Sequence, residues 1–341
     1  MSISKQELSK HDKMAEILPQ LIDDYFINKN INAVSISLKI VNGKLTDKLS
    51  FMFGVKEKLA LNLCSTPIPS TIIGYPTDVV EFDILSNERK FENFPVESVR
   101  NEKTDPLIGG ISISPDEELE EGGKKIKTRG TLGAMILKKG DDRPYMITCG
   151  HVLAGVGTKL QTQVCQQSKW ETTLDYCHNC AELKAFYHEN VSYLRESKSI
   201  ESWLDCAIAR KGWFRNTSIG KLYGVDKTVS GFIPSINSSL INKEVCKSGI
   251  KTDVTRGLIS SITLNAKLKN FDGTEVIAKN LIQVFGNSGA FSLSGDSGAV
   301  VFLTENLLMI GLVCAGDGTM SAITPSDAIL SKWPELSFIE N

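Results

Sequence analysis

The sequence predicts a mostly β fold in which a small α+β segment precedes a large region of short strands. From Gly130 onward, apolar strand-like segments recur at short intervals with Gly, Asn and Asp between them, and no long helical period intervenes. This pattern is typical of a β-barrel or β-sandwich. With 341 residues, of which 41% are hydrophobic, the chain is long enough to bury a substantial core.

The first hundred residues carry a different pattern. Residues 4–30 place apolar side chains on one face of a helix, which Pro19 is expected to kink or restart. Strand-like alternations follow over residues 33–40, 49–55 and 74–82. We therefore expect a helix over residues 1–30 and a small α+β module over residues 31–100. A charged linker over residues 84–105 leads into the main domain over residues 106–335.

Composition excludes several classes of partner. A net charge of −2 gives no basic footprint for nucleic acid. No apolar run reaches the ~20 residues that a membrane-spanning helix needs, and residues 1–24 lack the apolar centre of a signal peptide. We expect a cytoplasmic protein; a homo-oligomer is compatible with the sequence, which leaves the oligomeric state open.

The stretch Ser292–Val301 contains a serine, Ser297, between two glycines and directly after an acid. Gly295 and Gly298 allow backbone conformations that turn consecutive amides toward one point. The Ser297 hydroxyl would project from this turn, and the amides of Gly295 and Ser297 would donate to a developing oxyanion. Taken alone, the sequence GDSG at residues 295–298 is equally compatible with an ordinary turn.

Two upstream stretches supply the groups that would activate this serine. His151, one of only four histidines, follows an apolar strand and a glycine, whereas Asp205 is a single carboxylate within an otherwise apolar strand. A buried carboxylate needs a strong partner such as an imidazole N–H. Each has an alternative: a hydrogen-bonded core histidine for His151, and a backbone amide or lysine as the partner of Asp205.

Taken together, these residues occur along the chain in the order His, Asp, Ser. The same three residue types also form catalytic triads in the orders Asp, His, Ser and Ser, Asp, His, so the order favours one of three known arrangements. The words around His151 (TCGHV), Asp205 (DCAI) and Ser297 (GDSG) resemble those of the trypsin-like serine peptidases. The resemblance implies two six-stranded β-barrels of the chymotrypsin type, over about residues 106–225 and 226–335. His151 and Asp205 would come from the first barrel and Ser297 from the second. It also implies a serine endopeptidase that cleaves protein or peptide substrates through an acyl-enzyme and requires no cofactor.

The α+β module sharpens the resemblance. A helix, strands and the word at residues 74–81 (GYPTDVVE) look like a bacterial and plant group of intracellular trypsin-like peptidases that includes the plant narrow-leaf serine proteases. The words at residues 109–113, 130–134 and 247–252 are similar to that group as well. The resemblance covers most of residues 30–330 and is thinnest over 160–200.

By correspondence with the family, Phe291 would form the base of the primary specificity pocket, and the absence of an aspartate there argues against Lys or Arg substrates. The predicted substrate-binding residues are Phe291, Ser292, Cys314, Ala315, Gly316 and Ala322. A pocket of this composition suggests a small or aliphatic substrate side chain. Cys314 stands where many relatives place a serine that hydrogen-bonds the buried aspartate, and a thiol is the weaker donor.

The region of residues 160–200 carries a possible metal clip. Cys177 and Cys180 have the C-x-x-C spacing of thiolate ligands, and Cys165 and His188 are further candidates. The open alternatives are a structural zinc, free thiols and a disulfide.

Three questions about regulation also stay open at this stage. The word at residues 107–110 (LIGG) resembles the new amino terminus of an activated zymogen, whose amine would pair with Asp296; otherwise Asp296 has another partner or is solvated. The enzyme is expected to be regulated or latent. The alternative function is a catalytically weak pseudoprotease that acts as a protein-binding module.

Overall fold

The computed structural model describes residues 3–64, 66–82, 99–171 and 178–339. The prediction of a mostly β fold with an N-terminal helix is confirmed. The helices are α1 (Lys5–Leu8), α2 (Lys10–Tyr25), α3 (Gly150–Leu153) and α4 (Ser326–Lys332). Short 3-10 turns lie at Leu61–Leu63, Val99–Asn101, Lys169–Glu171 and Ser238–Leu240.

The strands fall into three groups along the chain. The first group is β1 (Ile31–Val41), β2 (Lys44–Val55), β3 (Thr71–Ile72) and β4 (Tyr75–Glu81). The second group is β5 (Leu107–Gly109), β6 (Ser112–Pro115), β7 (Leu119–Glu121), β8 (Lys124–Ile126), β9 (Gly130–Thr131), β10 (Ala134–Lys138), β11 (Tyr145–Thr148), β12 (Gln163–Cys165), β13 (Asn179–Arg195), β14 (Lys198–Lys211) and β15 (Thr217–Leu222). The third group is β16 (Gly231–Phe232), β17 (Glu244–Gly249), β18 (Asp253–Lys269), β19 (Glu275–Gly286), β20 (Val300–Leu303), β21 (Leu308–Gly316), β22 (Met320–Pro325) and β23 (Leu336–Ser337).

Strand pairing closes two rings. In the first, β6 pairs with β9, and β9 continues into β10 after Leu132 and Gly133; the ring then runs through β11, β14, β13 and β12 back to β6. In the second, the order is β17, β20, β21, β22, β19 and β18, and β18 pairs with β17. With β9 and β10 counted as one strand, each ring has six strands. Closure removes free sheet edges and gives each ring an interior to fill with apolar side chains.

The N-terminal strands extend the second barrel. Ala33 and Val34 of β1 lie opposite Ala266 and Asn265 in the outer half of β18, and β2 and β4 continue the same sheet. Helix α2 covers this extension with a buried face, and Pro19 lies within the helix. Met14, with no exposed area, belongs to one apolar core with side chains of β2 and of the second barrel. The N-terminal segment thus shares both a sheet and a core with the second barrel.

The division of the chain at residues 30, 100 and 106 stays a prediction. Most of the linker proposed for residues 84–105 lies outside the described residues. Leu107, proposed as a zymogen terminus, is a buried internal residue whose amide donates to the carbonyl of Asn216 (2.8 Å). In the part of the chain that the structure describes, we find no helix that is both long and apolar enough to span a membrane.

Candidate active site

His151 lies where β11 ends and the single turn of α3 begins. The preceding Gly150 passes so close to its neighbours that an added Cβ would lie 2.3 Å from the carbonyl oxygen of Tyr187 and 3.1 Å from Oδ1 of Asp205. Only glycine therefore lets the chain bring His151 this near to Asp205. The His151 side chain is 13% exposed, so it is largely desolvated but reachable from the cavity it lines.

Asp205 lies in the middle of β14 with its carboxylate 1% exposed. Its Oδ2 is 2.5 Å from Nδ1 of His151, and its Oδ1 accepts the His151 backbone N–H at 3.0 Å. Its own amide donates to Oγ1 of Thr324 in the second barrel (3.1 Å). Burial acts to raise the pKa of Asp205, but the neighbouring imidazoles of His151 and His188 hold that pKa well below its usual range. The carboxylate is therefore ionised and oriented.

His188 is a second imidazole on Asp205, and sequence reasoning missed this role. Its Nδ1 lies 3.1 Å from Oδ1 of Asp205, and the two residues stand directly opposite each other on β13 and β14. The signal was present in the hairpin: Arg195 pairs with Lys198 across the turn, and the register counted back from that pair sets His188 against Asp205.

Ser297 lies in the loop between β19 and β20, and it lines the same cavity as His151 and Asp205. Gly295 and Gly298 have φ values of +107° and +91°, which other residues rarely adopt. Among the described residues, the backbone amides of Gly295 and Ser297 donate no hydrogen bond. Among the same residues, the His151 ring and amide are hydrogen-bonded to Asp205, and no hydrogen bond joins the ring to the Ser297 hydroxyl. In the described part of the chain, the loop therefore presents a hydroxyl and two amides that donate to no acceptor.

Thr131 of the first barrel braces this loop. Its amide donates to the carbonyl of Ser297 (2.8 Å), and its Oγ1 donates to the carbonyl of Gly295 (2.9 Å). Two carbonyls flanking the presented amides are thereby held by the opposite barrel. These two hydrogen bonds fix the position of the Ser297 loop relative to the first barrel, which carries His151.

Asp296 has a partner within the fold, Lys247, which sequence reasoning did not identify. Both side chains are fully buried, with Lys247 Nζ 3.1 Å from Asp296 Oδ2. The carboxylate also accepts from the amides of Lys251 (2.8 Å) and Leu293 (3.1 Å) and from the Thr252 hydroxyl (2.6 Å). Burial lowers the pKa of Lys247, and Asp296 opposes that shift. An internal lysine thus occupies the position that the zymogen hypothesis assigned to a freed amine.

The candidate active site opens into a cavity of about 440 Å³. Four of the residues predicted to bind substrate line it: Ser292, Cys314, Ala315 and Gly316. The Ser292 and Ser321 hydroxyls are hydrogen-bonded to each other at 2.6 Å, and the Cys314 thiol donates to the carbonyl of Ala322 (3.3 Å).

The structure places the other two predicted pocket residues elsewhere. Phe291 has no exposed area and packs in the apolar core of the second barrel, and its carbonyl accepts from the Thr252 and Thr255 hydroxyls. Ala322 is fully buried in β22. Neither is among the residues that line the cavity. Counting back from Ser297 locates Phe291 along the chain, but not the direction of its side chain.

Among the described residues, the candidate zinc ligands Cys165, Cys180 and His188 do not form a metal-binding cluster. Cys165 is disulfide-bonded, and Cys177 lies outside the described residues. The Cys180 thiol donates to the carbonyl of Val164 (3.2 Å), and His188 contacts Asp205 instead.

Another set of potential metal-ligand atoms, from Cys149, His151 and Asp205, lies within 4.8 Å. Burial raises the pKa of the Cys149 thiol well above its usual range, and the thiol donates to the carbonyl of Val313 (3.1 Å). A protonated, hydrogen-bonded thiol is a poor metal ligand.

Comparison with known proteins finds similarity only among solved structures. No protein-family model matches the chain, and no curated protein matches it. Thermobifida fusca protease A is 16% identical with a TM-score of 0.46, over 69% of this chain and 100% of that one. Nocardiopsis protease (18%, TM-score 0.43) is covered to 98% and matches 68% of this chain. Cellulomonas bogoriensis chymotrypsin (17%, TM-score 0.43) is covered to 100% and matches 69%. The assignment of two barrels here follows from the closed strand pairings.

Proposed function

We propose that the protein is a serine endopeptidase of the trypsin-like class, with His151, Asp205 and Ser297 as its catalytic triad. The observation that carries this proposal is the buried Asp205 carboxylate hydrogen-bonded to the His151 imidazole, in one cavity with a serine on a two-glycine turn. Nucleophile, base and orienting acid are the three roles that acyl transfer by a serine requires.

In the proposed reaction, Ser297 Oγ attacks the scissile carbonyl carbon while Nε2 of His151 takes the hydroxyl proton. Asp205 holds the Nδ1–H tautomer and stabilises the imidazolium that forms. The amides of Gly295 and Ser297 then donate to the oxyanion, and loss of one such donor typically costs about 3 kcal/mol of barrier. His151 returns the proton to the leaving amine, and water repeats the sequence on the acyl-enzyme.

The cavity supports a peptide as the substrate class. Ser292, Ala315 and Gly316 contribute small side chains to the lining, and the β7–β8 hairpin contributes Glu121 and Lys125. A small or aliphatic substrate side chain fits the small-residue part of this lining. The mixed charges of the hairpin offer polar contacts to the peptide on either side of the cleaved bond.

The second candidate function is a protein-binding module without efficient catalysis. The absence of a Ser297–His151 hydrogen bond in the described residues favours it. Such contacts are often long in unliganded enzymes and shorten when substrate binds. The two functions differ in the reactivity of the Ser297 hydroxyl.

The test is reaction of the purified protein with a fluorophosphonate, read by intact mass and peptide mapping. A stoichiometric adduct on Ser297, absent from Ser297→Ala, is expected. Labelling that appears only after a binding partner or peptide is added indicates a latent enzyme. Silence under all these conditions supports the binding module and overturns the peptidase proposal.

A further inference from the structure

His188 is held by two hydrogen-bond acceptors, one at each ring nitrogen. Nδ1 lies 3.1 Å from Oδ1 of Asp205, and Nε2 lies 3.2 Å from the backbone carbonyl oxygen of Lys269. A neutral imidazole has one N–H donor and one bare nitrogen, so it satisfies only one of these acceptors. The imidazolium has two N–H groups and satisfies both.

The surroundings of the ring suit this charged form. His188 is 7% exposed and stacks on Phe271, with ring centroids 4.3 Å apart and an interplanar angle of 5°. The Trp203 ring stands nearly perpendicular to it (74°), with ring centroids 4.8 Å apart. The face of an aromatic ring such as Phe271 attracts a cation, and the ionised Asp205 carboxylate supplies the opposite charge.

Other ionisable groups near this ring are few. The His151 ring lies 6.0 Å away and shares the Asp205 carboxylate. The charged residues that line the cavity along with His188 are Glu118, Glu121, Lys125, Lys127, Arg129 and Lys269. Of this set, Arg129 is paired with Glu171. Among the described contacts, Asp205 is therefore the carboxylate that His188 directly meets.

We propose that His188, as an imidazolium, is a positioning residue that holds Asp205 Oδ1 and sets the pH range in which His151 acts as a base. This proposal rests on the proposed peptidase function. Oδ1 is shared by the His188 ring and the His151 amide, and Oδ2 contacts the His151 ring; the Cys149 thiol also lies beside this carboxylate. The positive charge of His188 therefore offsets part of the electrostatic attraction between the Asp205 carboxylate and a protonated His151.

The sign of the effect follows from this sharing. Without the His188 cation, the full carboxylate charge acts on His151 and favours its protonated form, which is no base for Ser297. The acidic limb of the pH profile for Ser297 labelling then moves to higher pH. Removing a like charge 6.0 Å from the His151 ring shifts this limb by about one pH unit, or roughly tenfold in labelling rate below the limb.

The first test measures the second-order rate of fluorophosphonate labelling from acid to neutral pH. His188→Asn keeps a donor near the Nδ1 position without the charge, and His188→Phe keeps the aromatic stack without the donor. In both variants the acidic limb of the labelling profile should lie about one pH unit higher than in the wild type. The maximal labelling rate should be lower in His188→Phe than in His188→Asn. His178→Asn, which lies immediately before β13, is the matched control and should leave the limb unmoved.

A merely structural role would lower the plateau or the melting temperature of the His188 variants and leave the limb where it is in the wild type. That result overturns the proposal. If wild-type Ser297 is labelled neither alone nor after a partner or peptide is added, the peptidase proposal fails, and the protonation of His188 is decided by the second test.

The second test is ¹⁵N-histidine NMR at pH 7, which is tractable because the chain has four histidines. The proposal expects one ring with both nitrogens protonated, and expects that signal to disappear in His188→Asn. A neutral His188 ring at this pH contradicts the proposal whether or not the protein is a peptidase.

Discussion

Asp205 and Asp296 are two buried carboxylates of the same site, and they are neutralised in different ways. Asp205 faces two imidazoles, whereas Asp296 faces the lysine Lys247 and several backbone and hydroxyl donors. The first environment contains imidazoles, the side chains suited to accepting and releasing a proton in a reaction, whereas the second contains an ammonium group and fixed hydrogen-bond donors. This difference suits Asp205 to a reaction and Asp296 to holding the loop that carries Ser297.

The largest expected effect is on the reacting carboxylate. Asp205→Asn should reduce Ser297 labelling by about 10⁴-fold, because the amide no longer holds the His151 tautomer that accepts the serine proton. The measurement is the labelling rate, with circular dichroism to verify the fold. A loss smaller than tenfold would remove Asp205 from the catalytic role.

The structural carboxylate should respond through stability. Lys247→Met leaves Asp296 buried without its cation, and we expect a loss of about 3–5 kcal/mol in the free energy of unfolding. Urea denaturation measures it. The double variant Lys247→Met/Asp296→Asn is the control and should recover much of the loss, because Asn needs no cation. Equal stability of the single variant and the wild type would contradict the pairing.

A smaller effect is expected where the two barrels meet. Thr131→Val removes the hydroxyl that donates to the Gly295 carbonyl and accepts from the Ile250 amide. We expect a cost of about 1–2 kcal/mol and slower Ser297 labelling, since the amides beside Ser297 lose their brace. The control variant is Thr148→Val, which removes the hydrogen bond from the Thr148 hydroxyl to the Thr131 carbonyl and leaves the Thr131 hydroxyl in place. Slower labelling in both variants to the same degree would assign the effect to packing instead.

The smallest expected effect is on how the contribution of Asp205 to stability depends on pH. Because the folded-state pKa of Asp205 is depressed, its charged form stabilises the fold above the unfolded-state value of about 3.9, and this contribution is lost as pH falls below it. The melting-temperature difference between the wild type and Asp205→Asn should therefore shrink from pH 5 to pH 2. A constant difference would contradict the depressed pKa.

The parts of this site that sequence could predict are those carried by local words. Ser297, His151 and Asp205 each stand in a short motif, and the structure lines one cavity with all three. Lys247 stands in the word at residues 247–252, but nothing local indicates that its side chain turns inward toward Asp296. The partnership of His188 with Asp205 depended on recognising the turn at Glu196 and Ser197, from which the register follows.

In the fold as well, sequence predicts the local features and misses the contacts between distant parts of the chain. The recurring strands and the N-terminal helix are visible in the spacing of apolar residues, which is a local property. The pairing of β1 with β18 joins Ala33 to Ala266, and no short-range pattern encodes a contact over that distance. The sequence therefore predicted a small α+β module but not the pairing that joins its strand β1 to β18 of the second barrel.

The most direct test of the central claim is a crystal structure of the fluorophosphonate-treated protein. We expect phosphorus bonded to Ser297 Oγ, its oxygen within hydrogen-bond distance of the Gly295 and Ser297 amides, and His151 still paired with Asp205. A structure with Ser297 unmodified, or with the phosphonyl oxygen turned away from these amides, would contradict the assignment of Ser297 as the nucleophile of a serine peptidase.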